Sequence, residues 1–451
     1  MLLLLLACAT PEPTDTAPQT VPWSAGLPRL DAEVRGRRYV RGIAHLHSSW
    51  SHDACDGDPL PDGAVNEPCL ADLRAALCTA GMDFAYLTDH PTHAADQPFE
   101  DLLLPRGDDI DVTDDGSVIA KWLACEDGTR TLWMPGIEDT LMPLGLERHA
   151  GDGDPRAVYT SRDPAAIAAE QEAGAVVVVN HPEGEARETL LALQEAGIRG
   201  LEAFNLHAMV DPSIRGEDLG LDPWQWASDI APFTDPHALA EPDLLFLAFF
   251  QDQPPSLAHW DALSAVREGG PALGLAGTDA HQNVLPLELR DGERVDSYRR
   301  MIRWFSNWLA VEGDPAPATL DAALDAGRLF VVFEALGTPA DLDVVLEADD
   351  GALYEPGQDA PAGTLRVSCP TLDPRSPRGT EAPELTTEIL RDGEIVATGC
   401  GDHVVDVPGV YRVVHRLTPY HLRPFLGDDP EPWLHPYPWI YSNPIRVRGG
   451  D

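Results

Sequence analysis

Histidines and acidic residues recur in this chain at the ends of short apolar runs, where they have the types and spacing of metal ligands. His45-Leu46-His47 closes one run and Thr88-Asp89-His90 the next. Trp133-Met134-Pro135-Gly136-Ile137 leads into Glu138, and a valine-rich run ends Asn180-His181-Pro182. A further run carries Glu202 and Asn205, with His207 beyond, and the last ends Gly277-Thr278-Asp279-Ala280-His281. Alternate residues of a strand share a face, so His45 and His47 point the same way, as do Asp279 and His281. Two imidazoles on one face can chelate a single cation. A lone histidine after a strand is more often a capped surface residue. So many ligand types, each at a strand end, make a pattern that bland roles do not produce. His52 and Asp53 follow the first pair within the next loop. Mixed imidazole and carboxylate ligation suits zinc, manganese or iron without selecting among them.

Such a cluster has the chemistry to hydrolyse esters. A water held between two divalent cations can have its pKa lowered from 15.7 to about 7, and the resulting nucleophile attacks phosphorus or carbonyl carbon. The cations also stabilise charge developing on the substrate oxygen. No serine or cysteine nucleophile is required, so Ser48, Ser49 and Ser51 read as hydrogen-bonding loop residues. Asp89 suits the orientation of an imidazole through its far nitrogen. Arg106 and Arg187 are the arginines considered for gripping a phosphate, although each reads first as solvated surface. Trp50, Trp122, Trp133, Trp224 and Trp226 are candidates for an apolar slot, or simply for core.

These residues must be positioned by alternating elements. The apolar runs Tyr39–Ala44, Asp83–Leu87, Ala175–Val179, Gly200–Phe204 and Ala272–Ala276 are predicted strands. Helices are predicted over Pro68–Gly81, Asp163–Gly174, Pro254–Glu268 and Val295–Val311, with Asp163 and Asp296 as N-caps. That alternation predicts βα units whose carboxyl-terminal strand ends gather at one mouth. Ser117–Ile137 reads as a hairpin turning at Asp127-Gly128, and Asp211–Pro242 as an aperiodic insertion. After about Gly337 helical periodicity stops. Short alternating runs such as Leu342–Leu346, Thr364–Cys369, Thr387–Leu390 and Val410–Val414 predict an all-β domain to the end of the chain.

Taken together, His45-Leu-His47-Ser-Ser-Trp-Ser-His-Asp53, Thr88-Asp-His90, Pro-Gly-Ile-Glu138, Asn-His181-Pro and Gly-Thr-Asp279-Ala-His281 resemble, in order, the motifs of the polymerase and histidinol phosphatase (PHP) superfamily. The resemblance covers about Arg38 to Phe333. Gly327-Arg328-Leu-Phe-Val-Val and the closing Ser442-Asn-Pro-Ile-Arg-Val look like its CehA/McbA branch. It implies a distorted (β/α)7 barrel over residues 37–336, a small β-sandwich over 337–451, and two or three divalent metals. Matching positions imply His45, His47, Asp53, His90, Glu138, His181, Asp279 and His281 as ligands, with Glu138 bridging. Spacing favours Asp53 over His52, and one further ligand position is contested by Glu202 and His207. Glu138, Asp279, His281 and Asp89 are then the catalytic candidates. The expected substrate is a small phosphomonoester or phosphodiester. A carboxylic ester, amide or carbamate is the alternative, since that branch includes aryl carbamate hydrolysis. A surface-binding role with structural metals is the third reading.

Composition narrows the field further. A formal net charge of −44 repels nucleic acid, and Lys121 is the only lysine. Leu2–Leu6 followed by Ala7-Cys8 reads as a lipobox, which predicts export and a lipid anchor on Cys8 facing the periplasm or the exterior. Residues 9–36, rich in proline and threonine at first, read as a tether. Setting Cys8 aside leaves six cysteines, of which Cys369 and Cys400 are expected to pair. Cys55, Cys69, Cys78 and Cys125 admit three pairings. No P-loop, dinucleotide fingerprint or nucleophile elbow is present.

Overall fold

The computed structural model describes residues 19–31, 33–151 and 153–449. Cys8 and the start of the expected tether lie outside them.

Seven short strands carry the site. They are β1 (Arg37–Ile43), β2 (Phe84–Leu87), β3 (Arg130–Pro135), β4 (Met142–Leu144), β5 (Val176–Val179), β6 (Gly200–Asn205) and β7 (Leu273–Gly277). All are short and buried along most of their length, and β2, β5 and β7 are apolar throughout, the pattern of strands covered on both faces. Pairing is parallel from β1 to β2 to β3 and from β5 to β6 to β7. β4 runs antiparallel to β5 and meets the end of β3 through the Gly136–Leu144 bridge. A parallel bridge between Leu46 and Ala280 returns the pairing from β7 to β1.

Helices pack around these strands, among them α1 (Glu67–Ala80), α2 (Pro164–Glu172), α3 (Arg187–Ala196), α4 (Pro254–Val266), α5 (Tyr298–Trp304) and α6 (Pro317–Asp325). Asn66 caps α1 by accepting from the Cys69 amide, and Gly81, at φ 73°, ends it. Asp163 caps α2 as its sequence indicated. The helix expected over Val295–Val311 stops at Trp304, capped by Ser297. Asp296 instead accepts the Val284 and Leu285 amides. The remainder of that stretch is β8 (Ser306–Val311), antiparallel to β1, because the free edge of β1 there needs a partner. The predicted hairpin forms, but its second arm is β3 itself, so it is not a detached insertion.

Residues 337–449 contain strands and two 3₁₀ segments but no α-helix. They do not stand apart as a separate small sandwich. β9 (Leu329–Val332) pairs with β8, β11 (Tyr437–Ser442) pairs with β9, and β10 (Gly409–Thr418) pairs with β11, so one sheet runs from the site strands into the C-terminal region. Two asparagine side chains complete the junction. Asn307 donates to the Ala276 carbonyl and accepts its amide, each at 2.9 Å. Asn443 accepts the Gly274 amide at 2.8 Å and donates to its carbonyl at 2.7 Å. The edge of β7 is thus paired by amides on side chains where no strand lies.

The tether reading fails from Val21 onward. Val21 exchanges backbone hydrogen bonds with Arg378 at 2.8 and 3.0 Å. The Trp23 indole donates to Asp243 at 2.9 Å and lies 4.3 Å beneath the Arg303 guanidinium, so an aromatic anchor docks the segment. Three disulfides, Cys55–Cys69, Cys78–Cys125 and Cys369–Cys400, close the cysteine account among the described residues.

The junction and the core each yield an expected outcome. Asn443→Ala leaves the Gly274 amide and carbonyl buried without partners, and should lower unfolding free energy by about 2–5 kcal/mol. The urea midpoint should fall with the slope unchanged. Glu170, on α2, is fully buried, neither carboxyl oxygen has a partner, and burial pushes it up to about 8. The folded state therefore holds a proton that the unfolded chain releases near its ordinary value of 4.5, and stability is lost as pH rises from there through about 8. Thermal melts from pH 5 to 8.5 should show that decline, shallower in Glu170→Gln by about 2–4 kcal/mol at the alkaline end.

Candidate metal centre

The ends of β1, β2, β3, β5 and β7 converge, and their ligand-type side chains meet. Four overlapping groups have ligand atoms within 4.8 Å of one another: His47, Asp53, His90 and His281; His45, Glu138 and His181; His45, His47 and Asp279; and His207, Asp279 and His281. Carboxylates tie the groups together. Asp279 Oδ1 lies 3.4, 3.2 and 3.2 Å from the Nε2 atoms of His45, His47 and His281, and its Oδ2 lies 3.1 Å from His181 Nε2 and 2.9 Å from His207 Nδ1. Glu138 Oε1 is 3.3 Å from His181 Nε2, and its Oε2 is 3.7 Å from His47 Nε2. Asp53 Oδ2 approaches His281 at 3.3 Å and His90 at 3.5 Å.

The donors fit divalent cations. Two imidazoles have the nitrogen away from the cluster engaged, His45 Nδ1 on Glu202 at 2.7 Å and His47 Nδ1 on the Ser51 hydroxyl at 2.6 Å, whereas His90 Nδ1 lies between the Glu138 carbonyl at 2.8 Å and the Glu138 Oε2 at 3.0 Å. In His45 and His47 that arrangement turns the other nitrogen toward a cation and fixes the ring. His45 and His47 bring their Nε2 atoms to 3.1 Å of each other, a contact of lone pairs that only a proton or a metal relieves. Asp53 Oδ1 is buried without a hydrogen-bond partner.

Without a cation the cluster balances its charge with protons. Burial would discharge His45, but Asp279 and Glu202 outweigh it and lift the imidazole to about 9. His47, equally buried and stacked on His281 with centroids 4.0 Å apart, falls to about 3. Burial works to raise Glu138 and Asp279, yet the imidazoles around them hold both well below the usual carboxylate range. Divalent ions would take over the work of those protons. The deep side is closed, while Asp53, His181, His207 and His90 keep 31, 29, 26 and 20% of their side chains exposed, which marks the open face.

Other expectations need correction. His52 is exposed, 5.0 Å ring to ring from His90, and belongs to none of the groups, whereas Asp53 lies in one with His47, His90 and His281. Glu202 is not in contact with the shared space. It is fully buried behind His45, and its Oε2 accepts from the His181 amide at 3.0 Å and the Asn205 side chain at 2.9 Å. His207, not Glu202, reaches the cluster. Asp89 touches no imidazole: it accepts the Ser48 amide at 2.5 Å and the Ser48 hydroxyl at 2.6 Å, and so shapes the loop after β1. Burial pushes it up to about 6.

No arginine or lysine pairs with the cluster carboxylates among the described residues. Arg106 binds Glu67 on the surface, and Arg187 lines a cleft between α4 and the C-terminal sheet. Trp133 and Trp226 are core residues rather than slot walls. Sequence reading missed the contributions of Asn180, which donates to Glu138 Oε1 at 2.5 Å, and of Gly277. A Cβ on Gly277 would lie 1.7 Å from Glu202 Oε1.

No family model matches the chain, and no curated protein matches it. A solved structure from Bacteroides vulgatus ATCC 8482, described as a two-domain protein containing a predicted PHP-like metal-dependent phosphoesterase, aligns over 94% of this chain and 98% of its own, at 13% identity and a TM-score of 0.35. A likeness this weak bears no weight.

Gly277→Ala should drive Glu202 off His45 and weaken metal binding by about 10–100-fold, measured by chelator competition. Unchanged affinity would remove Glu202 from its supporting role.

Proposed function

We propose that this chain is a metal-dependent hydrolase of the PHP type, of its CehA/McbA-like branch, acting as a phosphoesterase on a small phosphomonoester or phosphodiester. The observation that carries the reading is that Asp279 is common to two ligand groups, while Glu138, of a third, also reaches His47 and His90 of a neighbouring group, with one side of the cluster open. Carboxylates shared in this way hold cations close enough to act on one substrate. The return of strand pairing from β7 to β1 supports a distorted seven-stranded barrel as the frame. An anchored, exported location through Cys8 is part of the same proposal.

Bound divalent metals would supply an acidified water and positive charge at the ester oxygen. The residues of the chain do the rest. Glu138 and Asp279 would hold the cations together with the imidazoles, and His45 and His47 close the deep side to solvent. His181, His207, His90 and Asp53 border the face from which an ester approaches. A carboxylic ester, amide or carbamate is the second reading. The lack of an arginine or lysine paired with the cluster among the described residues favours it, because a phosphate dianion would then be gripped by metals and imidazoles alone.

Elemental analysis combined with turnover of p-nitrophenyl phosphate, bis-p-nitrophenyl phosphate and p-nitrophenyl acetate tests the proposal. Stoichiometric divalent metal and phosphoester turnover abolished by a chelator are expected. His45→Ala and Asp279→Ala should each reduce both metal content and activity, the latter by at least ~100-fold. Variants that keep full metal and activity would refute the assignment.

A further inference from the structure

Tyr298 belongs to none of the ligand motifs, yet its hydroxyl reaches the backbone of two of the ligands. The side chain is buried at the start of α5. Its hydroxyl donates to the His47 carbonyl at 2.9 Å and also reaches the His281 carbonyl at 3.3 Å. These two residues belong to the same ligand group, and their rings stack at an interplanar angle of 12°. One phenol thus spans the backbones of both stacked ligands. Among the described residues it is the only donor to the His47 carbonyl.

The backbone around this contact leaves the regular ladder. His47 donates to the Ala280 carbonyl at 3.2 Å and Asp279 donates to the His45 carbonyl at 3.1 Å, and beyond them the chains from β1 and β7 diverge. Asp279 and Gln282, flanking His281, have φ of 54° and 56°, in the left-handed region that costs a non-glycine residue on the order of 1–3 kcal/mol. The surroundings must hold such a conformation in place. The loop bearing Asp53 is tied to the same spot, since Cys55 donates to the His281 carbonyl at 2.9 Å and Asp56 to the Gln282 carbonyl at 2.9 Å. The Cys55–Cys69 disulfide joins that loop to α1, and Cys69 Sγ lies 3.8 Å from the Tyr298 hydroxyl.

We propose that Tyr298 is a positioning residue for the cation held by His47, Asp53, His90 and His281. Its hydroxyl locks the two strand ends so that the imidazoles of His47 and His281 face one point together with Asp53. The proposal rests on the metal-centre reading and concerns one part of the cluster. His45, Glu138 and His181 are supported by Glu202 and Asn180 instead.

The test is Zn2+, Mn2+ and Fe2+ binding by chelator competition, with bound stoichiometry, on the metal-stripped full chain and its Tyr298→Phe and Tyr298→Leu variants. Phenylalanine keeps the ring and removes only the hydroxyl. Tyr298→Phe should weaken one bound ion by about 10–100-fold and leave the others at wild-type affinity, the range seen when the outer partners of metal ligands are removed. Near-UV circular dichroism of the stripped variant should match the wild type. Tyr298→Leu, which also loses the ring, should weaken the same ion at least as much. Overturning results are wild-type affinity for every ion in Tyr298→Phe, or loss in the leucine variant alone, which would assign the effect to packing. A wild-type protein that binds none of Zn2+, Mn2+ and Fe2+ would overturn the functional reading as well. A wild type that binds and a phenylalanine variant that binds equally would overturn only this inference.

Discussion

Three carboxylates crowded among imidazoles in a nearly dry space set the terms for the rest of this fold. Glu138 and Asp279 are almost wholly buried, and no arginine or lysine answers them among the described residues. Buried negative charge left alone costs several kcal/mol or more, so the cluster must contain protons or metal cations. The surrounding details answer that demand. Glu202 and Ser51 hold imidazoles at their far nitrogens, Asn180 steadies Glu138, and Gly277 stays bare so that Glu202 fits. A site of this kind tolerates little displacement, because each ligand atom lies within hydrogen-bond range of its neighbours.

That intolerance explains why the C-terminal region is built into the site strands instead of hanging from them. β7 carries Asp279 and His281 just past its end, and its outer edge would otherwise bury unpaired amides. Asn307 and Asn443 cover it with side chains that copy a strand's donor and acceptor. The Ser442-Asn443-Pro444 segment, which looks like a family signature in sequence, thus has a structural reason: an amide of this reach pairs with an edge where a neighbouring strand does not fit. Continuity of the sheet through β8, β9 and β11 gives the same strands a rigid backing.

Loops around the mouth are restrained by other means. The Cys55–Cys69 bridge fastens the loop that carries Asp53, and Asp89 and Ser48 brace its start. On another side, Trp23 brings the N-terminal segment against Asp243, Arg303 and Phe425, spanning the site-bearing and C-terminal parts of the chain. Loops hold ligands accurately only when covalent or buried polar contacts limit their freedom.

Much of the site was legible because its residues sit at strand ends, and both strand type and ligand type are local properties. The apolar runs 39–44, 83–87, 175–179, 200–204 and 272–276 located the strands, and the side-chain types at their ends picked out the candidate ligands that the fold brings together. Asp53 over His52 was favoured by spacing alone. What could not be read depends on which distant groups meet. Whether Glu202 or His207 faces the shared space, which segment pairs with β1, and that Tyr298 reaches the His47 carbonyl are all decided by packing across more than 70 residues of sequence. A sequence specifies what each residue can donate or accept. Only the closed arrangement of strands specifies to whom, because hydrogen bonds and buried charges are settled by distance in space.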